Sequence, residues 1–144
     1  MILFAPSHLR EILEAAEAAY PEESCGLLIG RGKRILRVSR VVASANLRTG
    51  SGNRFEVDPA LRFRLMRDLE GTSDRIIGHF HSHPDHPAEP SRYDEDMAFE
   101  PELVWVITAV DRGRALHTAA HQFNATKRRF RPVSMRVAAP AKNA

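Results

Sequence analysis

A chain of 144 residues is long enough for one domain with a sizeable hydrophobic core, and an apolar fraction of 43% excludes a disordered protein. No stretch approaches the roughly 20 consecutive apolar residues of a membrane-spanning helix, so we expect no membrane partner. The 21 basic and 18 acidic residues give a net charge of only +3, although the sequence pI is about 9.5.

The predicted elements follow from hydrophobic periodicity and from turn residues. Apolar side chains at helical spacing predict a first helix between Pro6 and Pro21, while Asp58 and Pro59 supply an N-cap and a first-turn proline for a second helix. Short apolar runs bounded by turn residues predict strands. In chain order we predict a helix at 7–20, strands at 25–30 and 33–42 joined by a turn at 31–32, a polar loop at 46–53, a strand end at 55–57, a helix from 58, a strand at 75–81, a short helix from 91, and strands at 103–110, 114–123 and within 127–137.

This order of elements indicates a mixed α/β (α+β) fold, a sheet or barrel-like sandwich flanked by two main helices, and not a repeating parallel βαβ array. No internal repeat divides the chain. We therefore predict one domain over residues 1–137, followed by a disordered C-terminal tail over residues 138–144.

Two features of the composition bear on location and partners. The first residues lack a secretory signal, and the single cysteine, Cys25, excludes an internal disulfide, so we expect a soluble cytoplasmic protein. Basic residues concentrate at 31–40 and 127–131, and such runs can contact nucleic acid or an acidic protein surface. Because we find no aromatic pattern typical of a base-stacking platform, we interpret both runs as solvated strand faces and expect no nucleic-acid partner.

The segment HFHSHPDHPAEPSRYDEDM, residues 79–97, contains four of the seven histidines. Residues two apart on a strand share a face, so His81 and His83 can converge on one metal ion, and Asp94 can return as a third ligand with the fourth position open to water. Ser91 would lie one turn from Asp94 on a short helix. A solvated loop rich in histidine is the alternative interpretation.

A metal with an open position is a hydrolytic arrangement, and it requires a nearby base. The adjacent acids Glu22 and Glu23 are the candidates, although spacing alone does not establish their contact with the histidines. The H-E-x-x-H helix, the nucleobase-deaminase signature and the G-x-S-x-G elbow are absent from the sequence.

Two separated motifs, YPEESCGLLIG and GHFHSHPDHPAEPSRYD, resemble those of the JAMM (MPN+) metallopeptidase family, and the resemblance covers residues 3–123. It implies the family's cytidine-deaminase-like architecture, Zn²⁺ ligated by His81, His83 and Asp94, and Glu23, more than Glu22, as the general base. It also implies that Ser91 hydrogen-bonds the oxyanion of the tetrahedral intermediate.

The same resemblance implies that Ser82 orients the loop, that His79 is packed and is not a ligand, and that Cys25 has a buried structural role. His86 has no counterpart in the family motif, and we expect it to face solvent.

JAMM enzymes hydrolyse amide or isopeptide bonds at the C-termini of ubiquitin-like proteins, and this chain resembles their compact prokaryotic members. The resemblance implies a sulfur-carrier-type substrate that ends in Gly-Gly. The loop at 46–53 is polar, contains glycine and lies close in sequence to strand ends, so we expect it to act as a flap over the tail of that substrate. The alternatives are a catalytically silent MPN scaffold, a RadC-like DNA-associated protein and a metal-storage protein. The bond type and the oligomeric state are open at this stage.

Overall fold

The computed structural model describes residues 1–48, 50 and 54–138. Residues 49 and 51–53 of the predicted loop, and residues 139–144 of the predicted tail, lie outside the described residues. The elements are β1 Ile2–Phe4, α1 Pro6–Ala19, β2 Cys25–Arg31, β3 Leu36–Ser44, α2 Pro59–Asp68, β4 Arg75–Pro84, α3 Arg92–Asp96, β5 Val104–Asp111, β6 Arg114–Asn124, β7 Arg129–Val133 and β8 Met135–Val137.

The helices begin where the sequence predicts. Ala5 is the N-cap of α1, and Pro6 is its first residue. The Asp58 carboxylate caps α2 by accepting a hydrogen bond from the Ala60 N–H at 3.0 Å. Ser91 is the N-cap of α3. No helix in the described part of the chain combines the length and the apolar character needed to cross a membrane.

The strands form one eight-stranded mixed sheet in the order β7-β6-β5-β4-β2-β3-β1-β8. β4 and β5 run parallel, β1 is parallel to both of its neighbours, and the other pairs are antiparallel. The two end strands, β7 and β8, are separated in sequence only by Ser134, whose carbonyl accepts a hydrogen bond from Ile2 N at 2.8 Å. The sheet therefore curls until it is nearly closed, which confirms the predicted mixed, barrel-like fold.

The two main helices pack on opposite faces of this sheet. Successive side chains of a strand point to opposite faces. Leu28 of β2 belongs to the core cluster that contains Ile12 of α1. Its neighbours in β2, Leu27 and Ile29, pack instead with Leu61 and Leu65 of α2. β2 is consequently buried on both faces and forms a rigid support for the residues that precede it.

Several boundaries differ from the prediction. β1 and β8 are short strands that periodicity does not reveal, and residues 55–57 form no strand, since Val57 makes only an isolated bridge to Asn46. The turn after β2 begins at Gly32, where φ is +116° and a Cβ would collide with the carbonyl of Ile35. β4 extends to Pro84, three residues beyond its predicted end, so His83 lies on the strand.

Candidate functional site

His81 and His83 are held by the central strand of the sheet. β4 pairs with β2, where Cys25 is opposite His81, and with β5, where Ile107 and Ala109 are opposite His81 and His83. Both histidines are buried, and their Nε2 atoms are 3.1 Å apart. The two-residue period of the strand thus places both rings on one face with their Nε2 atoms together, as the spacing predicts.

Helix α3 brings Asp94 to the same point. Its first turn is fixed by a capping box: the Asp94 N–H donates to Ser91 Oγ at 3.0 Å, and the Ser91 N–H donates to Asp94 Oδ2 at 2.8 Å. Asp94 is buried, with 2% of its surface exposed, and Oδ2 lies 3.3 Å from His81 Nε2 and 3.1 Å from His83 Nε2. Two nitrogens and one oxygen therefore form a compact triangle.

The dimensions of this triangle fit a tetrahedral metal ion. Ligand atoms about 2.0–2.1 Å from zinc at tetrahedral angles are roughly 3.3–3.4 Å apart, and the three separations here are 3.1–3.3 Å. The other ring nitrogen of His83, Nδ1, is 2.8 Å from the carbonyl oxygen of Pro87. That contact favours the tautomer that donates from Nδ1 and leaves Nε2 free as a ligand atom.

Glu23 faces the triangle from the segment before β2. Ligand-capable atoms of Glu23, His81 and His83 all lie within 4.8 Å of one another. Glu23 is buried, and its Oε1 has no hydrogen-bond partner among the described residues. Burial raises the pKa of this carboxyl to about 8, although the charge of His83 opposes the shift. Glu22, by contrast, is half-buried and accepts a hydrogen bond from the Gly50 N–H at 3.2 Å.

A pair of serines ties the Glu23 segment to the ligand strand. The Ser24 N–H donates to Ser82 Oγ at 2.8 Å, and the Ser82 N–H donates to the Ser24 carbonyl at 3.2 Å. Ser82 lies between the two histidines in sequence, and its hydrogen bonds fix Ser24, the residue that follows Glu23. This contact between β4 and the residues at the start of β2 therefore fixes the position of the Glu23 segment relative to the triangle.

The protonation of the triangle is governed by burial and by the pairing of its members. Burial lowers the pKa of His81, against the opposing charge of Asp94. Burial also acts to lower the pKa of His83, but the hydrogen bonds to Asp94 and to Pro87 outweigh it and raise the pKa. For Asp94, burial acts to raise the pKa, yet the two imidazoles and the Ser91 N–H lower it strongly. The carboxylate is therefore ionised, which is the form that binds a metal.

An aromatic wall supports the first ligand. The Phe55 ring stacks on His81, with centroids 4.1 Å apart and planes 16° apart, and Trp105 contacts His81 edge-on at 5.6 Å. His79 packs against Trp105 at 4.2 Å, and burial lowers its pKa to about 3. Sequence reasoning missed Phe55 and Trp105. The parallel pairing of β4 with β5, which places Trp105 opposite His79, is the signal that could have revealed the second.

The cluster opens into a cavity of about 480 Å³. Glu23, His83 and Ser91 line this cavity, together with Arg54 and Tyr93. The exposed His86 lies on the same wall. The proposed base Glu23, the ligand His83 and the hydroxyl-bearing Ser91 therefore border one space that is large enough for a substrate segment.

Comparison with known proteins identifies the family. Residues 5–130 match the profile of the prokaryotic homologs of the JAB domain. The chain belongs to this family. It is 31% identical over 135 residues to a desampylase of Haloferax volcanii, an alignment that covers 91% of this chain and 87% of that one.

Two solved structures share the fold. A protein from Desulfitobacterium hafniense is 28% identical with a TM-score of 0.84, over 99% of this chain and 96% of that chain. A JAB1/MPN domain protein from Archaeoglobus fulgidus is 20% identical with a TM-score of 0.59, over 96% and 97% of the two chains. The resemblance to the JAMM/MPN family is thus confirmed, and the chain is a JAMM-type metallopeptidase of the prokaryotic JAB group.

Proposed function

We propose that this JAB-family enzyme is a zinc-dependent hydrolase that cleaves the peptide or isopeptide bond after the C-terminal Gly-Gly of a ubiquitin-like, sulfur-carrier-type protein. The relatives named desampylase support the substrate class, because desampylases act on conjugates of ubiquitin-like proteins. The observation that carries the chemistry is the triangle of His81, His83 and Asp94 facing the unpartnered carboxylate of Glu23.

In this proposal His81, His83 and Asp94 hold Zn²⁺, because two imidazoles and one carboxylate leave a fourth position open. The ion, when bound, polarises the scissile carbonyl and lowers the pKa of water. Neutral imidazoles and an ionised Asp94 are the required forms of the ligands. The hydrogen bond from His83 to Pro87 and the stacked ring of Phe55 hold the two imidazoles in their orientation.

Glu23 acts as the general base in this mechanism. Its carboxylate takes a proton from the attacking water while the water oxygen bonds to the scissile carbonyl carbon. The same carboxyl then returns the proton to the leaving nitrogen as the C–N bond breaks, so that a carboxylic acid and an amine are released. Burial without a fixed hydrogen-bond partner suits a group that must both accept and deliver a proton.

Ser91 stabilises the oxyanion. Its Oγ accepts the capping hydrogen bond from Asp94 N, which leaves the hydroxyl proton available for donation into the cavity. A donor fixed in advance by a helix cap needs little reorganisation as negative charge develops on the substrate oxygen.

The test is the metal content of purified protein together with cleavage of a Gly-Gly carrier that bears a C-terminal extension. Wild type should contain one zinc per chain and cleave, and Asp94→Asn should lose both properties. Asp96→Asn is the matched control, because Asp96 lies on the same short helix and is exposed. Zinc without cleavage of any Gly-Gly conjugate would contradict the substrate class and favour a silent MPN scaffold; no zinc in wild type would contradict the whole mechanism.

A further inference from the structure

The side chain of Arg54 lies on the wall of the cavity next to the metal triangle. It lines the same cavity of about 480 Å³ as Glu23, His83 and Ser91. Its guanidinium carbon lies 5.0 Å from the ring centroid of Tyr93, and Tyr93 immediately precedes Asp94 on α3. A cation is thus held against an aromatic ring at the helix that supplies the carboxylate of the triangle.

The guanidinium of Arg54 forms no ion pair with any side chain that the structure describes. Within the ranges 1–48, 50 and 54–138, no acidic side chain lies within ion-pair distance of Arg54. Three other arginines are neutralised by carboxylates, in the pairs Arg31–Asp74, Arg48–Glu56 and Arg62–Glu100. Contact with the face of a ring leaves the N–H donors at the guanidinium edge unused, and these donors match a carboxylate in a bidentate geometry.

The chemistry of a Gly-Gly conjugate limits where such a carboxylate can be. On the acyl side of the scissile bond, glycine residues carry no side chain and no charge. On the leaving side, a single α-linked amino acid has its free carboxylate attached to the carbon next to the scissile nitrogen. In a lysine isopeptide, four methylenes separate the scissile nitrogen from the lysine Cα. The carboxyl group of that lysine is part of the main chain of the modified protein and is not free.

We propose that Arg54 is a specificity-determining residue that binds the free α-carboxylate of a C-terminal amino acid linked by a peptide bond after Gly-Gly. This inference rests on the proposed function and extends it to the leaving group. It makes the enzyme a processing peptidase that prefers a one-residue, α-linked leaving group to a lysine isopeptide. Tyr93 contributes by holding the guanidinium beside the metal cluster.

The experiment compares three conjugates of one Gly-Gly carrier with the metal-loaded enzyme. The first has one added C-terminal alanine with a free carboxylate, the second has the same alanine as a carboxamide, and the third is joined to a lysine side chain. For wild type, kcat/KM should be about 10- to 100-fold higher for the carboxylate than for the carboxamide, as expected for one charge-assisted contact. Arg54→Gln should bring this ratio close to one, and Arg54→Lys should give an intermediate ratio.

Arg92→Gln is the matched control, because Arg92 is an exposed arginine that lines the same cavity and, within the part of the chain that the structure describes, contacts no aromatic ring. Its carboxylate-to-carboxamide ratio should remain that of wild type. Equal cleavage of carboxylate and carboxamide by wild type would overturn the assignment of Arg54 while the proposed function stands. So would a ratio that falls in Arg92→Gln and not in Arg54→Gln. Cleavage of none of the three conjugates would instead overturn the proposed function, and the role of Arg54 with it.

Discussion

The side-chain amide of Asn46 donates a hydrogen bond to the main-chain carbonyl of Glu23, with Nδ2 and O 3.0 Å apart. The same nitrogen donates to the carbonyl of Arg54 at 3.0 Å, while Oδ1 accepts hydrogen bonds from the N–H groups of Arg48 and Glu56. One asparagine thus joins the segment that carries the proposed base to both arms of the loop after β3. Its side chain thereby bridges two carbonyls and two N–H groups of the main chain.

We expect Asn46→Ala to misplace Glu23 and the loop without removing a metal ligand. A small displacement of a catalytic group costs on the order of 10- to 100-fold in rate, so kcat should fall by about that factor while metal content stays at the wild-type level. The lost hydrogen bonds should also lower the free energy of unfolding by about 1–3 kcal/mol.

Steady-state kinetics, metal analysis and denaturant unfolding check this prediction. Asn124→Ala is the control, because Asn124 also closes a local turn, accepting from Lys127 N at 3.0 Å, but lies on β6, which pairs with β5 and β7 and not with β2. If Asn46→Ala and Asn124→Ala reduce kcat equally, the link between Asn46 and Glu23 has no catalytic importance.

Glu23→Gln should separate metal binding from turnover. The amide is nearly isosteric with the carboxyl group but cannot accept a proton at neutral pH, so kcat should fall by about 10²- to 10⁴-fold. Metal content should remain unchanged, because the triangle contains no Glu23 atom. Parallel assays of Glu22→Gln should give activity close to wild type. Full activity in Glu23→Gln together with loss in Glu22→Gln would move the base to Glu22.

Ser91 combines a cap and a hydroxyl donor, and two substitutions separate these roles. Ser91→Ala should lower kcat by about 10²- to 10³-fold through loss of the oxyanion donor. It should also cost about 1 kcal/mol of stability through loss of the cap. Ser91→Thr keeps a hydroxyl for both purposes and should recover part of the rate. Metal content measured beside kcat is decisive, since loss of metal in Ser91→Ala would mean that Ser91 acts by positioning Asp94.

Metal binding should stabilise the fold, because the triangle forms only when β4 and α3 are in place. At a free zinc concentration about 1,000 times Kd, linkage adds about 4 kcal/mol, which for a chain of this length raises Tm by roughly 10–20 °C. Thermal unfolding with zinc and with a chelator measures this shift. Asp96→Asn should show the same shift as wild type, whereas an equal shift in Asp94→Asn would place the metal elsewhere.

The parts of this protein that could be predicted from sequence are those encoded by local patterns. Prolines and N-cap residues predicted the starts of α1, α2 and α3, and the two-residue spacing of His81 and His83 predicted their shared face. The sequence offered Asp94 as a third ligand and both Glu22 and Glu23 as the base. The resemblance favoured Glu23, because local patterns do not encode contacts between distant segments.

The missed features all depend on tertiary structure. β1 has only three residues and is defined by its partners β3 and β8, which close the sheet. Phe55 was predicted at a strand end, but its ring stacks on His81. Asn46 was predicted in a polar loop, although it links four main-chain groups.

The thiol of Cys25 should be inert in the folded protein. Cys25 is 2% exposed, its Sγ lies 3.8 Å from the carbonyl oxygen of Ala45, and burial raises its pKa to about 12. So high a pKa leaves almost none of the thiol ionised near neutral pH, so a disulfide reagent such as DTNB should react at the rate of unfolding. The same reagent in denaturant should titrate one thiol immediately.

Cys25→Ala provides the second half of this test. It should abolish the DTNB signal and leave the zinc content unchanged, because Sγ is not part of the triangle. Rapid stoichiometric reaction of the native wild-type thiol would instead mean that the β2–β3 region opens readily in solution. Since the Cys25 position pairs with His81 across β2 and β4, such opening would also disturb the ligand strand, and metal loss should then accompany modification.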